Sequence, residues 1–180
     1  NSVNLENKTA VVTGSGSGIG RSTARLFAKM GATVAILDKS SEAAKETSDL
    51  IESDGYDATN FCVDITHKAQ INNTIQHLIS VWSRIDILVN NVGAAFGNDL
   101  IDMEDEQWDN DIELNLTANA RCIKSVLPYM IEQRAGSVIN IASINGLGAY
   151  DLMAYGAAKA GLINLTQNLA VSYGSHGIRF

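Results

Sequence analysis

The sequence predicts an α/β protein: a doubly wound parallel sheet with helices on both faces, three layers deep. Three observations carry that expectation. Short apolar runs alternate with helix-like stretches in the order β-α-β-α-β-α-β-α-β-α. The strand runs are continuously apolar, as strands buried on both faces are. Right-handed crossovers between parallel strands then leave the doubly wound sheet as the simplest topology.

The elements follow in order. Thr9 to Thr13 is a β-branched run that ends in glycines. Ile19 to Met30 is amphipathic and stops at Gly31. Thr33 to Leu37 reads as the second strand, with Asp38 at its end. Ser41 to Ser53 is a polar helix, with Glu42 in its first turn and Gly55 beyond it. Asn60 to Val63 is the third strand, and Thr66 is expected to cap a helix running to Trp82. Ile85 to Val89 and Ser137 to Ile141 are the fourth and fifth strands. Between them runs a long helical stretch from Asp105 to Gln133, which Pro128 is expected to kink or loosen. A last helix spans Met153 to Ser172. Val92 to Met103 is the longest irregular segment, long enough for a functional loop. No linker or repeat divides the chain, so residues 1–180 are expected to form one domain.

Composition removes several function classes. Thirteen Lys and Arg against 20 Asp and Glu give a net charge of −7, without the basic footprint of a nucleic-acid binder. No run reaches the roughly 18 apolar residues of a membrane span. The start, Asn1-Ser-Val-Asn-Leu-Glu-Asn, has neither the basic nor the apolar part of a secretory signal. Cys62 and Cys122 are too few for a disulfide framework and suit a reducing compartment, so a cytoplasmic protein is expected. His67, His77 and His176 are scattered and share no metal-ligand spacing with either Cys, so no metal is expected.

Two ends of the chain carry chemistry. The first strand runs into Thr13-Gly14-Ser15-Gly16-Ser17-Gly18-Ile19-Gly20 and then into a helix. A backbone so placed can approach a pyrophosphate, with the helix N-terminus behind it. The glycines fall as Gly14-x-x-x-Gly18-x-Gly20, and a plain tight turn is the competing reading. Asp38 ends the second strand, where a carboxylate can accept both ribose hydroxyls and repels a 2′-phosphate. Ser17 brings no positive charge to the turn, so NAD is favoured over NADP, although Lys39 follows Asp38 directly.

Farther along, Tyr155 and Lys159 stand four apart, on one face of a helix. A phenol is a poor base at neutral pH, and a neighbouring ammonium favours its phenolate. An ordinary surface Tyr–Lys pair is the alternative. Ser143 is placed at the close of the fifth strand. Gly14, Asp38, Asp64, Asn90 and Ser143 thus all fall at or just after carboxyl ends of strands, where a doubly wound sheet binds its ligands. One shared crevice accounts for all five.

These residues resemble the short-chain dehydrogenase/reductase family over Leu5 to Phe180. Thr13 to Gly20 is similar to the family's Thr-Gly-x-x-x-Gly-x-Gly turn, which places Gly14, Ser17, Gly18, Ile19 and Gly20 against the cofactor. Asp64-Ile65 matches its adenine-side Asp. Asn90-Asn91-Val92-Gly93 matches its Asn-Asn-Ala-Gly signature with Val92 in place of Ala. Asn115, Ser143, Tyr155 and Lys159 match its catalytic tetrad. The resemblance implies a Rossmann fold and a hydride transfer between NAD and a secondary alcohol or ketone. Tyr155 would be the general acid/base, and Lys159 would favour its phenolate and hold the nicotinamide ribose. Ser143 would bind the substrate oxygen, and Asn115 would hold a water that relays protons. The resemblance also implies a homotetramer or dimer, paired through the Asp105–Gln133 and Met153–Ser172 helices. Ala118, Ala120, Ala157, Ala158 and Ala160 would either allow that close approach or pack on the chain's own sheet.

There are departures. Ser143 and Tyr155 are 12 residues apart, one fewer than the commonest family spacing, and the loop to Tyr150 absorbs the difference. Tyr150 reads either as part of that loop or as packing. The chain ends at Phe180, where the family begins its sixth strand, so a C-terminal part with the substrate-covering segment is expected to be missing. The eight acidic residues from Asp99 to Glu113 read as a solvated helix start, and as a rim unfavourable to an acidic carrier protein. Three alternatives therefore stand behind the main reading. They are an NADP-dependent 3-ketoacyl-(acyl carrier protein) reductase, a non-catalytic NAD-binding relative, and an inactive fragment.

Overall fold

The computed structural model describes residues 4–97 and 99–180. Asn1–Val3 of the N-terminal reading and Asn98 of the long loop lie outside the described residues. Twelve main elements alternate: β1 (Thr9–Thr13), α1 (Gly18–Lys29), β2 (Thr33–Asp38), α2 (Ser41–Ser53), β3 (Ala58–Cys62), α3 (Lys68–Trp82), β4 (Ile87–Asn90), α4 (Asp105–Ile112), α5 (Ala118–Gln133), β5 (Gly136–Asn140), α6 (Met153–Tyr173) and β6 (Ile178–Arg179). A π-helical turn, Glu113–Thr117, joins α4 to α5. All strand pairs are parallel, and the order is β3-β2-β1-β4-β5-β6. The order reverses between β1 and β4, and that switch point opens the ligand crevice of such sheets. The expected doubly wound sheet is therefore present, and its sixth strand begins at Ile178 as the family resemblance implied.

Strand alternation divides the core in two. Ala10, Val12, Val34, Ile36, Ile87 and Val89 face α1 and α2, where Ala24, Ala28 and Ala44 allow close approach. Val11, Ala35, Leu37 and Leu88 face α3 and α5 through Ile71, Ile75, Leu78, Cys122, Ile123 and Val126. Strands covered on both faces have no need of polar alternation, which is why the runs read as continuously apolar.

Several boundaries differ from the sequence reading, each for a local reason. The cap of α3 is His67, not Thr66. The Asp64 carboxylate draws Thr66 away, accepting its N–H at 2.9 Å and its hydroxyl at 2.7 Å. β3 lies two residues earlier than expected at its start, because it follows β2 in register from Val34↔Ala58 to Asp38↔Cys62. β4 starts at Ile87; Ile85 is held instead by the Gln133 side chain, which accepts its N–H at 3.0 Å and donates to its C=O at 2.9 Å. The helix is continuous through Pro128; the departure from regular α-geometry comes earlier, at Glu113–Thr117. Ser143 lies beyond β5, as the cap of a short 3-10 turn, Ile144–Gly146.

The alternatives left open also separate. Ala118 and Ala158 are buried inside this chain, while Ala157 and Ala160 are exposed on α6. Tyr150 is an exposed loop residue beside Gly148. His77 packs edge-on against Phe61, and His176 lies against Tyr173. No helix among the described residues is long and apolar enough to cross a membrane.

Candidate active site

The glycine turn after β1 is shaped by contact as well as by dihedral. Gly14 (φ 60) and Gly18 (φ 54) occupy the left-handed region that other residues avoid. A Cβ on Gly20 would stand 2.3 Å from the Gly14 carbonyl oxygen, so the third glycine is a packing requirement. Asn91 locks the turn from the neighbouring strand end, donating to the carbonyls of Thr13 and Gly14 at 3.1 and 3.0 Å. Ser17 caps α1 without using its side chain, so the first-turn N–H groups are left for another acceptor.

Asp38 ends β2 as expected, and its carboxylate is anchored. One oxygen accepts the Gly16 N–H at 2.9 Å, and the other accepts the Ser40 N–H at 3.0 Å. Each oxygen retains acceptor capacity toward the crevice. Burial alone would raise the Asp64 carboxyl. The hydroxyl and N–H of Thr66, with His67 and Lys39 nearby, outweigh it and hold the group below the usual carboxylate range. Arg121 pairs with Glu113 and donates to the Thr66 carbonyl at 3.1 Å, tying this loop to the π turn.

These parts line one cleft of about 430 Å³, bounded by Gly14, Ser17, Gly18, Ile19, Asp38, Asp64, Ile65 and Gly93, with Asn91 and Leu114. Of the residues read as cofactor contacts, Gly20, Tyr155, Lys159 and Asn90 are not in this lining, and Asn90 is turned away from it. It is 1% exposed, and its amide ties β4 to Asn140 at 2.9 Å and to the Asn119 carbonyl. Side chains alternate along a strand, so its neighbour Asn91 lines the cleft instead.

At the other end, Lys159 is 2% exposed, and its ammonium donates to the Ile141 carbonyl at 2.8 Å. Burial pushes it down to about 8. It lies 5.6 Å from the centre of the Tyr155 ring. Gly93 joins the two ends: a Cβ there would stand 2.8 Å from Asn115 Oδ1 and 3.1 Å from Lys159 Nζ. Asn115 Oδ1 is buried and has no hydrogen-bond partner among the described residues. Ser143 Oγ accepts the Asn145 N–H and donates to Asn145 Oδ1, both at 3.2 Å.

Sequence reading passed over Asp111. In an acidic run whose pattern implies a solvated helix start, Asp111 is fully buried, and its carboxylate accepts the Phe96 N–H at 3.3 Å. Asn119, also fully buried, was likewise missed. The four-residue spacing Gln107, Asp111, Asn115, Asn119 was the available signal.

A nicotinamide dinucleotide fits this arrangement. A glycine cradle with open helix N–H groups and an anchored carboxylate at the second strand end line one cleft, and Gly93 in that lining adjoins a buried Lys that stands beside a phenol. Comparison with known proteins agrees. A family model described as short chain dehydrogenase matches residues 8–180. The chain is 36% identical over 174 residues to the (2S)-((R)-hydroxy(phenyl)methyl)succinyl-CoA dehydrogenase subunit BbsD of Thauera aromatica, covering 97% of this chain and 70% of that protein. It is 37% identical over 177 residues to the 3-oxoacyl-(acyl-carrier-protein) reductase FabG of Escherichia coli, covering 98% and 71%. Among solved structures, a 7α-hydroxysteroid dehydrogenase complexed with NADH and 7-oxo glycochenodeoxycholic acid superposes with a TM-score of 0.94 at 31% identity, covering 98% and 69%. An NAD+-bound xylitol dehydrogenase superposes at 0.93 and 29% identity, covering 97% and 68%.

Proposed function

This chain belongs to the short-chain dehydrogenase family, and from that premise we propose that it oxidises a secondary alcohol, or reduces the ketone, with NAD as its cofactor. The observation that carries the reading is the buried Lys159 ammonium, which adjoins the Tyr155 ring on one side and Asn115 Oδ1 across Gly93 on the other. Nicotinamide, when bound, supplies or accepts the hydride.

The chain's own residues supply the rest. The Tyr155 hydroxyl exchanges a proton with the substrate oxygen, with the Lys159 ammonium 5.6 Å from the ring centre. Ser143 Oγ hydrogen-bonds the same substrate oxygen and fixes it against Tyr155. Asn115 Oδ1 holds a water that passes protons toward Lys159. The turn from Gly14 to Gly20 and the N-terminus of α1 hold the pyrophosphate, and Asp64 and Ile65 wall the adenine side. Asp38 takes the adenosine ribose hydroxyls, and its charge disfavours a 2′-phosphate, which supports NAD over NADP.

A second reading is reduction of a 3-oxoacyl thioester. It is favoured by relatives named for acyl-CoA and acyl-carrier-protein chemistry. The acidic run from Asp99 to Glu113 tells against an acidic carrier. We further infer a homodimer or homotetramer paired through the Asp105–Gln133 stretch (α4 and α5) and α6, working in the cytoplasm, where Cys62 and Cys122 stay free thiols. A strictly monomeric species in light scattering would contradict the assembly.

The test pairs NADH fluorescence with turnover on a panel of secondary alcohols, ketones and 3-oxoacyl thioesters. Tyr155→Phe is expected to keep NADH affinity and lose about 100-fold or more in kcat. Undiminished turnover in that variant would refute Tyr155 as acid/base.

A further inference from the structure

We propose that Asp111 is a positioning residue for this reaction: its carboxylate is the middle of three rungs that clamp the Ala94–Gly97 loop and aim the Asn115 carbonyl oxygen toward Lys159. The proposal rests on the functional reading above and deepens it.

Gln107, Asp111 and Asn115 are four apart, on one face of α4 and the π turn. Each reaches the same loop. Gln107 Nε2 donates to the Phe96 carbonyl at 2.9 Å. Asp111 Oδ2 accepts the Phe96 N–H at 3.3 Å, and the Gly97 N–H also points to this carboxylate. Asn115 Nδ2 donates to the Ala94 carbonyl at 2.7 Å. Phe96 is therefore held through both of its peptide groups, and the segment following Gly93 has little freedom.

The same rungs settle which way the Asn115 amide points. Its two N–H donors are spent on the Ala94 carbonyl and on Asp111, whose backbone oxygen lies at 2.9 Å and carboxylate oxygen at 3.4 Å. The carbonyl oxygen is left facing the Gly93 position that Lys159 Nζ also approaches. A flipped amide would set its donors against the ammonium and leave the Ala94 carbonyl unpaired.

Asp111 is fully buried, and its hydrogen-bond partners are all neutral. Burial accordingly raises its carboxyl above the usual range. A carboxyl is an expensive choice at such a place unless its acceptors are used. The loop N–H groups use them.

The test compares the wild-type chain with Asp111→Leu, which removes the acceptors, and Asp111→Asn, which keeps one. Hydrogen exchange at the Phe96 and Gly97 amides is followed by NMR, alongside kcat, KM, NADH affinity and Tm. Asp111→Leu is expected to speed both exchanges at least about tenfold and to lower kcat about 10- to 100-fold, as loss of a supporting partner does. KM and NADH affinity should stay within about threefold, and Asp111→Asn should restore most of kcat. Unchanged exchange in Asp111→Leu overturns the clamp. A kcat that falls only together with Tm and NADH affinity overturns the positioning role. If Asp111→Leu does not fold, Gln107→Leu removes the adjoining, partly exposed rung. Faster Phe96 exchange with lower kcat then supports the clamp, and no change in either overturns it. A wild-type chain that binds NADH but turns over nothing on the panel refutes the functional reading, and exchange alone then decides the clamp.

Discussion

Replacing Lys159 with Met should stabilise this chain at neutral pH, by an amount that disappears as the pH rises. The ammonium is 2% exposed and, among the described residues, has a single hydrogen bond, to the Ile141 carbonyl. Burial lowers it from 10.5 to about 8, which corresponds to a penalty of about 3 kcal/mol on the folded state. The direction with pH follows from proton counting. Below pH 8 the group is charged in both folded and unfolded chains, so the folded state bears the full penalty. Between 8 and 10.5 the folded chain releases the proton first, the unfolded chain binds more, and stability rises. Between about pH 7 and pH 10 wild type should therefore gain about 2.5 kcal/mol relative to Lys159→Met. Met leaves the Ile141 carbonyl without its donor, at about 1–2 kcal/mol regardless of pH. The variant should then be about 1–2 kcal/mol more stable at pH 7 and less stable at pH 10. Urea unfolding of both proteins, read by Trp82 and Trp108 fluorescence at four pH values, measures the difference directly. A difference that stays constant across that range would mean that the ammonium is not desolvated in the folded chain.

Three further outcomes are expected. Gly20→Ala, whose Cβ would meet the Gly14 carbonyl at 2.3 Å, should cost about 3 kcal/mol and abolish the NADH fluorescence change. Gly18→Ala, strained at φ 54 but with open space, should cost only about 1 kcal/mol, and equal losses in urea unfolding would contradict the contact. For Asp86, burial works upward, but the Arg84 hydrogen bond and the Thr9 N–H outweigh it and lower the carboxyl. Its stabilisation is thus present above the unfolded value near about 4 and is lost on acidification below it. Asp86→Asn should cost about 2 kcal/mol at pH 7, with the gap to wild type narrowing as the pH falls below about 4; a gap that does not narrow on acidification is the contrary result. A disulfide reagent should titrate one thiol, Cys62, in the folded chain and two in urea, because burial pushes Cys122 up to about 12. Two thiols reacting in the folded chain would refute that burial.

What was legible in the sequence is what local chemistry decides. β1 runs from Thr9 to Thr13 as read, because an apolar β-branched run ends at a glycine whose positive φ no strand continues. Asp38 closes β2 as read, and α2 has the boundaries that its polar pattern implied. Thr66 failed as a cap because Asp64 is a stronger acceptor two residues away. Asn90 turned inward because its direction depends on which face of β4 meets α5. Asp111 was hidden for a related reason. Eight acidic residues on a helix start look solvated, and only the Ala94–Gly97 loop folding onto that face makes one of them buried. Nothing in the composition of Glu113–Thr117 announces a π turn.

That turn has a consequence for helix phase. On a regular α-helix, side chains four apart drift by about 40° per step, so a stripe of four would wind about 120° around the axis. Asp111, Asn115 and Asn119 are nonetheless all fully buried. A turn closed at i+5 takes in an extra residue, and the drift reverses through it. The polar stripe is thereby steered along one azimuth, while α5 beyond it presents Cys122, Ile123 and Val126 to the sheet. Winding the same residues as an unbroken α-helix would rotate everything upstream by about 100° against everything downstream. The loop-facing and sheet-facing halves of this helix keep their separate azimuths only because five residues are wound differently from the rest.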